Sequence, residues 1–599
     1  MNNSTIKKLI CFIYDVEENS RIVSSILTML EKKAAKLKTP DWFSALSSAE
    51  KKLPVNEKDS VLITYGDQFN KEEKKPLKVL NQFIKRYIGD SISTIHILPF
   101  YPYSSDDGFS VIDYEIVDPK LGTWKDIAAL GKTHKLMADL VLNHCSAKSM
   151  WFKKFLEGDA KFKKFFITAD PKEDLSMVFR PRALPLLTPF KTSEGKKYVW
   201  TTFSADQVDL NFANPQVLKE MLSIFLLYIK NNISIIRLDA IAYLWKEKGH
   251  SCLHHEKTHA VVKLFREVVK VFAPWVIILT ETNVPHNENL SYFGNGNDEA
   301  QMVYQFALPP LVLDAYIRGS GARLSKWASG LKNFSDTTTF FNFLSSHDGI
   351  GVLPSRDILS SEEIENMISS VKERKGLISY KAVKDGQVPY EMNINYRSAI
   401  TANLTDKAAM KKFISSQSIM IALQGVPGIY IHSIIGSLNY NKGVELTKAN
   451  RAINREKFNF DSIKDELKRK RSDRAVILSK FKKLLDIKRN EKAFHPQSAQ
   501  IILPGPGPLL AFLRIPKEGS GKGKASNNGG SNAVLCIYNI SGRILKCFPE
   551  WGDIELPNSS GFTDLVSGKK SSALIVSKGS PLVTISAWEF VWLSIPQKG

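Results

Sequence analysis

Cysteine is scarce. There are five in 599 residues, at 11, 145, 252, 536 and 547. They are scattered and odd in number, and no pair has metal-ligand spacing. A disulfide framework and a zinc cluster are thereby excluded, and free thiols suit a reducing cytoplasm. Long apolar runs are missing too, so no stretch is expected to span a bilayer. The N-terminal apolar run follows Lys7 and Lys8 but has no small-residue cleavage site. It soon meets Asp15, Glu17 and Glu18, so it is not read as a signal peptide. No phosphate-cradling glycine loop is present, and the Gly529–Gly530 pair lies in a polar tract. Acidic residues are outnumbered, 61 against 82 Lys and Arg, for a net charge of +21. Such an excess raises nucleic acid or an anionic membrane as a partner. The basic residues are spread along the chain, however. The densest group, LKRKRSDR at 467–474, is expected in an exposed helix. A lysine-rich soluble enzyme is the better reading, whose positive field helps an anion such as phosphate approach.

What is present is an alternation. Residues 1 to about 57 read as helical, with apolar residues at helical spacing in 18–38 and a stop near Pro40. From there, apolar runs at 61–67, 94–100, 135–144, 233–240, 275–282, 302–306, 338–348 and 425–431 read as strands, most of them separated by helical patterns. Continuous rather than alternating apolar runs mark parallel strands covered on both faces. Eight of them suit a closed (β/α)8 TIM barrel, an α/β fold, over 58–490. Two connections, about 145–230 and 349–415, are too long for plain loops and read as inserted loop domains. Residues 495–599 carry short β-rich runs (LLAFLRI, AVLCIYNI, SALIVS, EFVWLSI) and read as an antiparallel β domain. The Gly, Ser, Lys and Asn tract 517–532 reads as a flexible loop between two of them.

Four runs end in polar chemistry: LVLNH at His144, IIRLDA at 235–240, IILTETN at 277–283 and FLSSHDGIG at 343–351. In a parallel barrel the reacting groups sit at the C-terminal strand ends. His144, Arg237, Asp239, Glu281, His347 and Asp348 are therefore expected in one pocket. Converging carboxylates with an arginine and two histidines suit chemistry at a glycosidic bond. Arg237 and Asp239 share a strand face, because side chains alternate.

These motifs resemble those of glycoside hydrolase family thirteen, the α-amylase superfamily. The resemblance implies that Asp239 of RLDA is the nucleophile, Glu281 the general acid/base and Asp348 the transition-state stabiliser, with Asn143-His144 ending strand three. Within the superfamily, LPFYPYSSDDGFSVIDY (98–114), VFRPRALP (178–185), QFALPPLV (305–312), SSHDGIGV (345–352) and NRAINRE (450–456) are similar to the sucrose phosphorylase group. The N-terminal extension, SSDDGFSV (104–111) and ISYKAVKDGQVPYEMNINY (378–396) look most like the glucosylglycerate phosphorylases.

The resemblance further implies that His144 and His347 donate to glucosyl hydroxyls and that Asp106 and Arg451 clamp the far side of the glucose. Phe109 and Tyr243 form an apolar platform or simply belong to the core. Arg182 and Tyr390 match phosphate-contacting positions, and the Arg182 fork also suits the carboxylate of a glycerate leaving group. Retaining enzymes set the nucleophile and acid/base about 5–5.5 Å apart. No metal and no cofactor are expected; inorganic phosphate is a co-substrate and a small α-glucoside the other partner. Glycerate, fructose, fructose 6-phosphate and glycerol stay open as acceptors. A hydrolase or transglucosidase, a non-catalytic barrel protein and a nucleic-acid binder are the competing classes.

Overall fold

A computed structural model describes residues 3–383, 386–401, 404, 406–517, 532–547, 562–569, 575–577 and 580–595. Eight parallel strands close a barrel: β1 (Val61–Thr64), β2 (Thr94–Ile97), β3 (Lys135–Val141), β4 (Ile233–Asp239), β5 (Ile277–Thr280), β6 (Met302–Tyr304), β7 (Thr339–Phe343) and β8 (Val426–Tyr430). Each strand neighbours the next in sequence, and β8 pairs with β1. The expected barrel is met, run by run. Nearly every residue of these strands is buried, the state that continuous apolar runs require.

The extension is two helices, α1 (Ser4–Tyr14) and α2 (Arg21–Ala34). Ile6, Ile10 and Ile13 of α1 fall on one face and are fully buried, each stabilising by about 1.5–3 kcal/mol. They pack α1 on α4 (Glu256–Phe272), while α2 lies on α3 (Pro215–Lys230). Both partners belong to the barrel's outer helical ring. The Ser20 hydroxyl caps α2 by accepting from the Val23 amide at 3.3 Å.

The first insertion holds a hairpin, Leu187–Thr192 with Gly195–Trp200, and a short strand, Gln207–Asp209, that pairs with His144–Ser146. It stops at α3, which Asn214 caps, so residues 215–230 belong to the barrel proper. The second holds a three-stranded antiparallel sheet of Ile350–Gly351, Gly386–Asn393 and Leu377–Val383. Beyond the barrel, five antiparallel strands form a sheet in the order Ala499–Leu503, Leu509–Ile515, Ala533–Asn539, Phe590–Ile595 and Thr563–Asp564. Buried Arg514 ties this sheet to the barrel by donating to the carbonyls of Ala422 (3.1 Å) and His495 (2.8 Å). Of the run SALIVS, Ile575–Ser577 is a strand and 572–574 lie outside the described residues, as do 518–531 of the polar tract.

One expectation is corrected. The basic group at 467–474 does not lie within a helix. The helix Phe460–Lys468 ends there, and Ser472 caps α5 (Asp473–Asn490) by accepting from the Ala475 amide at 3.2 Å. Arg469–Arg471 form the turn between, because a Ser-Asp pair starts a helix better than it continues one.

Candidate active site

The pocket is built at the strand ends. The β3–β4 register sets Asp139 beside Arg237, and Val141 beside Asp239. Arg237 is 2% exposed. Its Nη1 donates to Asp139 and, at 2.7 Å, to Asp239; its Nη2 is 3.8 Å from Glu281. His96 closes the network below, with Nε2 2.7 Å from Asp139. Burial alone would raise the Asp139 pKa, but His96 and Arg237 outweigh it and hold it at about 2. A permanently ionised Asp139 thus fixes the guanidinium under the two carboxylates. Sequence reasoning missed Asp139; its place two residues into the apolar MADLVL run was the available signal.

Just past Asp239 the chain turns sharply. Ala240 adopts a left-handed conformation (φ +50°), which a residue with a Cβ avoids unless its surroundings impose it. The turn lets the Ala240 amide donate to Glu281 Oε2 at 3.0 Å. Burial raises the pKa of Glu281, with Asp348 adding and Arg237 opposing. Burial raises Asp239 as well, with Arg237 opposing and Glu281 adding. Two buried carboxylates on one arginine share one proton. It belongs on Glu281, because Arg237 is 2.7 Å from Asp239 but 3.8 Å from Glu281. Asp239 is then ionised and Glu281 protonated.

The sign of the pH effect follows. A carboxyl whose folded pKa is raised holds its proton longer in the folded chain than in the unfolded one. Its burial therefore costs stability progressively as pH rises above the ordinary value of 4.5. Glu281→Gln is expected to match the native protein in Tm near pH 4 and to exceed it at pH 7–8, while losing turnover. A Tm difference that shrinks as pH rises would reverse the assignment.

Asp348 follows β7, and Arg451 Nη1 lies 2.5 Å from its Oδ1. Arg451 also binds Glu391 at two points, Nε–Oε1 3.0 Å and Nη2–Oε2 2.6 Å. Glu391 is 1% exposed, and despite burial Arg451 holds its pKa below the ordinary range. The close approach depends on glycine: a Cβ at Gly349 would stand 2.7 Å from Glu391 Cγ and 2.6 Å from the Met392 carbonyl oxygen. Glu391 was missed although its neighbour Tyr390 was not, because its partner Arg451 lies 60 residues further along the chain. Glu391→Gln is expected to lower kcat by roughly thirtyfold, the equivalent of about 2 kcal/mol. KM should change less, since what weakens is the support that Arg451 gives Asp348. Steady-state kinetics with a melting curve checks this.

Asp106 and Arg451, the pair expected to clamp the far side of the glucose, both line the pocket. Arg451 is 4.0 Å from Asp106, drawn away by Asp348 and Glu391. The cation on Asp106 is Arg455, with Nη1 at 3.1 Å from Asp106 and 2.9 Å from Asp107. Arg455 also donates to the His347 carbonyl at 2.8 Å. The two arginines are four residues apart, in Asn450–Asn454 and at its C-cap, and Arg451 lines the pocket.

Phe109 stacks on His347 at 4.6 Å and 7°. Burial first, then Arg455 and Arg237, hold His347 well below its ordinary pKa, hence neutral. His144 lines the pocket with both ring nitrogens engaged: Nε2 donates to the Phe109 carbonyl at 2.9 Å, and Nδ1 is 3.3 Å from the Asn143 amide nitrogen. Tyr243 meets Phe203 edge-on at 5.4 Å. Phe203 and Gln207, both from the first insertion, line the pocket and were not foreseen. Arg182 and Tyr390 face each other across the mouth, the guanidinium 5.5 Å from the ring centroid. Burial pushes the Tyr390 phenol up to about 12, so it stays a donor. Arg182 makes no ion pair or hydrogen bond among the described residues, whereas Arg237, Arg451 and Arg455 are all paired.

Asn143 Oδ1 accepts from Lys246 Nζ, which also pairs with buried Asp209 at 2.8 Å. Among the described residues, no group of three His, Cys, Asp or Glu side chains is placed to hold a metal ion.

Residues 83–351 match the family model described as alpha amylase, catalytic domain. The chain is 46% identical over 591 residues to the glucosylglycerate phosphorylase of Spirochaeta thermophila, covering 98% of each chain. It is 47% identical over 491 residues to that of Allomeiothermus silvanus, covering 82% of this chain and 86% of the relative. The chain belongs to the glucosylglycerate phosphorylase family. Among solved structures, the sucrose 6F-phosphate phosphorylase from Thermoanaerobacter thermosaccharolyticum shares the fold, with TM-score 0.70 and 23% identity over 86% of this chain and 98% of that one. Membership in this α-amylase-type family matches the strand-end carboxylates and the barrel that carries them.

Proposed function

We propose that this protein is a retaining glucoside phosphorylase that cleaves 2-O-α-glucosylglycerate with phosphate, giving glycerate and α-glucose 1-phosphate. The observation that carries the reading is the near-half identity, over most of its length, to enzymes of that name. Arg182 supports it, as a cation at the pocket mouth with no protein carboxylate of its own.

In the first half-reaction the Asp239 carboxylate attacks C1 of the glucosyl unit while Glu281 gives its proton to the departing glycerate oxygen. The C1–O bond breaks and a β-glucosyl ester forms on Asp239. Arg237 keeps the attacking carboxylate ionised, and Asp348, steadied by Arg451, faces the positive charge that develops on the sugar ring. In the second half-reaction a phosphate oxygen attacks C1 and Glu281 takes the phosphate proton. The ester to Asp239 breaks, and two inversions leave the α configuration. Glycerate and phosphate are both anions, and each in turn would use Arg182 and the Tyr390 hydroxyl. Phosphate is the only co-reactant required; no metal or organic cofactor takes part. The five unpaired cysteines suit a cytoplasmic setting, and among the described residues no helix is long and apolar enough to cross a membrane.

Release of glucose 1-phosphate from glucosylglycerate, sucrose, sucrose 6-phosphate and glucosylglycerol, with and without phosphate, tests the proposal. Phosphate-dependent release from glucosylglycerate is the expected result. Release from another member would move the acceptor, and free glucose without phosphate would make the enzyme a hydrolase.

A further inference from the structure

A second cavity, of about 580 Å³, opens at the opposite end of the barrel. It lies at the N-terminal strand ends: Ser93 precedes β2, Lys135 begins β3, Ser234 is the second residue of β4, and Trp275 precedes β5. Ser234 and the nucleophile Asp239 share β4 and are five residues apart, roughly 17 Å. The two cavities therefore do not overlap.

Ser234 is placed by an irregularity. Leu136 pairs with Ile233 and Met137 with Ile235, so Ser234 is the extra residue of a bulge. Its side chain turns to the cavity although the residue is only 7% exposed. The hydroxyl has no partner among the described residues. Its oxygen is open to the cavity, so it is free to bond a ligand there.

The lining charge is positive. Lys58, Lys132, Lys135 and Arg489 line it against Asp59 and Asp90. Asp59 is already neutralised, by Lys135 Nζ at 3.1 Å. The Arg489 guanidinium donates to the Asp90 backbone carbonyl and makes no ion pair among the described residues, nor does the Asp90 carboxylate beside it. Lys58 and Lys132 have no ion pair among the described residues. An aromatic wall completes the cavity. Trp42 of the N-terminal extension lies edge-on to Phe43 at 5.8 Å, and Phe43 edge-on to Trp275 at 6.3 Å. Asn232, two residues before Ser234, adds an amide.

We propose that this cavity, whose outer wall the N-terminal extension supplies, is a second binding site for a phosphorylated hexose. The phosphate would sit among Lys58, Lys132 and Arg489, the hydroxyls on Ser234 and Asn232, and the apolar ring face against the tryptophans. The volume accommodates a hexose phosphate, and the free hydroxyl favours a polyol over a bare anion. The site is independent of the reaction assigned to the catalytic pocket.

Calorimetric titration of the full chain with glucose 6-phosphate tests it, with inorganic phosphate as a second probe. Saturable binding of the hexose phosphate is expected. It should weaken by more than about tenfold in Lys58→Glu/Lys132→Glu, and severalfold in Ser234→Val, a substitution that suits a strand. Arg182→Ala should leave it unchanged, separating this site from the catalytic pocket. No saturable binding, equal affinity for bare phosphate, undiminished binding in the double variant, or loss in Arg182→Ala would each overturn the proposal.

Discussion

Asp239→Asn is expected to fold and melt as the native protein does, yet to lose turnover by about 100,000-fold, the scale of removing a covalent nucleophile. The amide is isosteric and still accepts from Arg237 Nη1, which sits 2.7 Å from this position. Arg237 also keeps its second partner, Asp139, so the network beneath the pocket survives. What is lost is the charge that attacks C1. Removing a carboxylate whose pKa burial raises also removes the cost of burying its charge, so stability should not fall near neutral pH. Both phosphorolysis and any slow hydrolysis pass through the glucosyl ester and should vanish together. Steady-state rates with mass spectrometry of the trapped enzyme check this. Residual turnover within tenfold of native would remove Asp239 from the mechanism.

Arg182→Ala is expected to separate the two nucleophiles that can reach the ester. A hydrogen bond to a charged group contributes about 1.5–3 kcal/mol, so losing a forked contact with phosphate should cost about a hundredfold or more in kcat/KM for phosphate. Water needs no cation, and Arg182 has no structural ion pair whose loss would disturb the fold. The ratio of free glucose to glucose 1-phosphate should therefore rise sharply, with the Tm little changed. KM for the glucoside should rise too, because the glycerate carboxylate would use the same guanidinium. A variant that keeps its phosphate KM would place the anion elsewhere. Tyr390→Phe should show the same trend more weakly, since a neutral hydroxyl gives a weaker bond to phosphate than a guanidinium does.

The strand-end chemistry was legible because of one physical constraint. Strands buried on both faces must be apolar along their length, so the first polar residue marks where the strand leaves the barrel. His144, Asp239, Glu281 and Asp348 stand at or just beyond such points. Arg237 and Asp139 do not follow that rule. They lie inside strands, tolerated because each charge is met by the other in register across β3 and β4. Arg237 was still legible from its spacing to Asp239, whereas Asp139 had no partner nearby in sequence to reveal it.

The amino-acid sequence by itself determined the barrel, the helical extension, the β-rich C-terminal region and which carboxylates end which strands. These depend on local periodicity and on burial, which each segment states for itself. Only the tertiary structure decided which arginine serves which carboxylate. Arg451 and Arg455 are equivalent in sequence, four residues apart on one turn. Glu391, brought by a sheet some sixty residues upstream, captures Arg451 for Asp348 and leaves Arg455 to Asp106. The foot of the barrel was decided in the same way, since Trp42, Lys132 and Ser234 meet only when the chain closes. Charge pairing depends on distance in space, and no pattern along the chain encodes it.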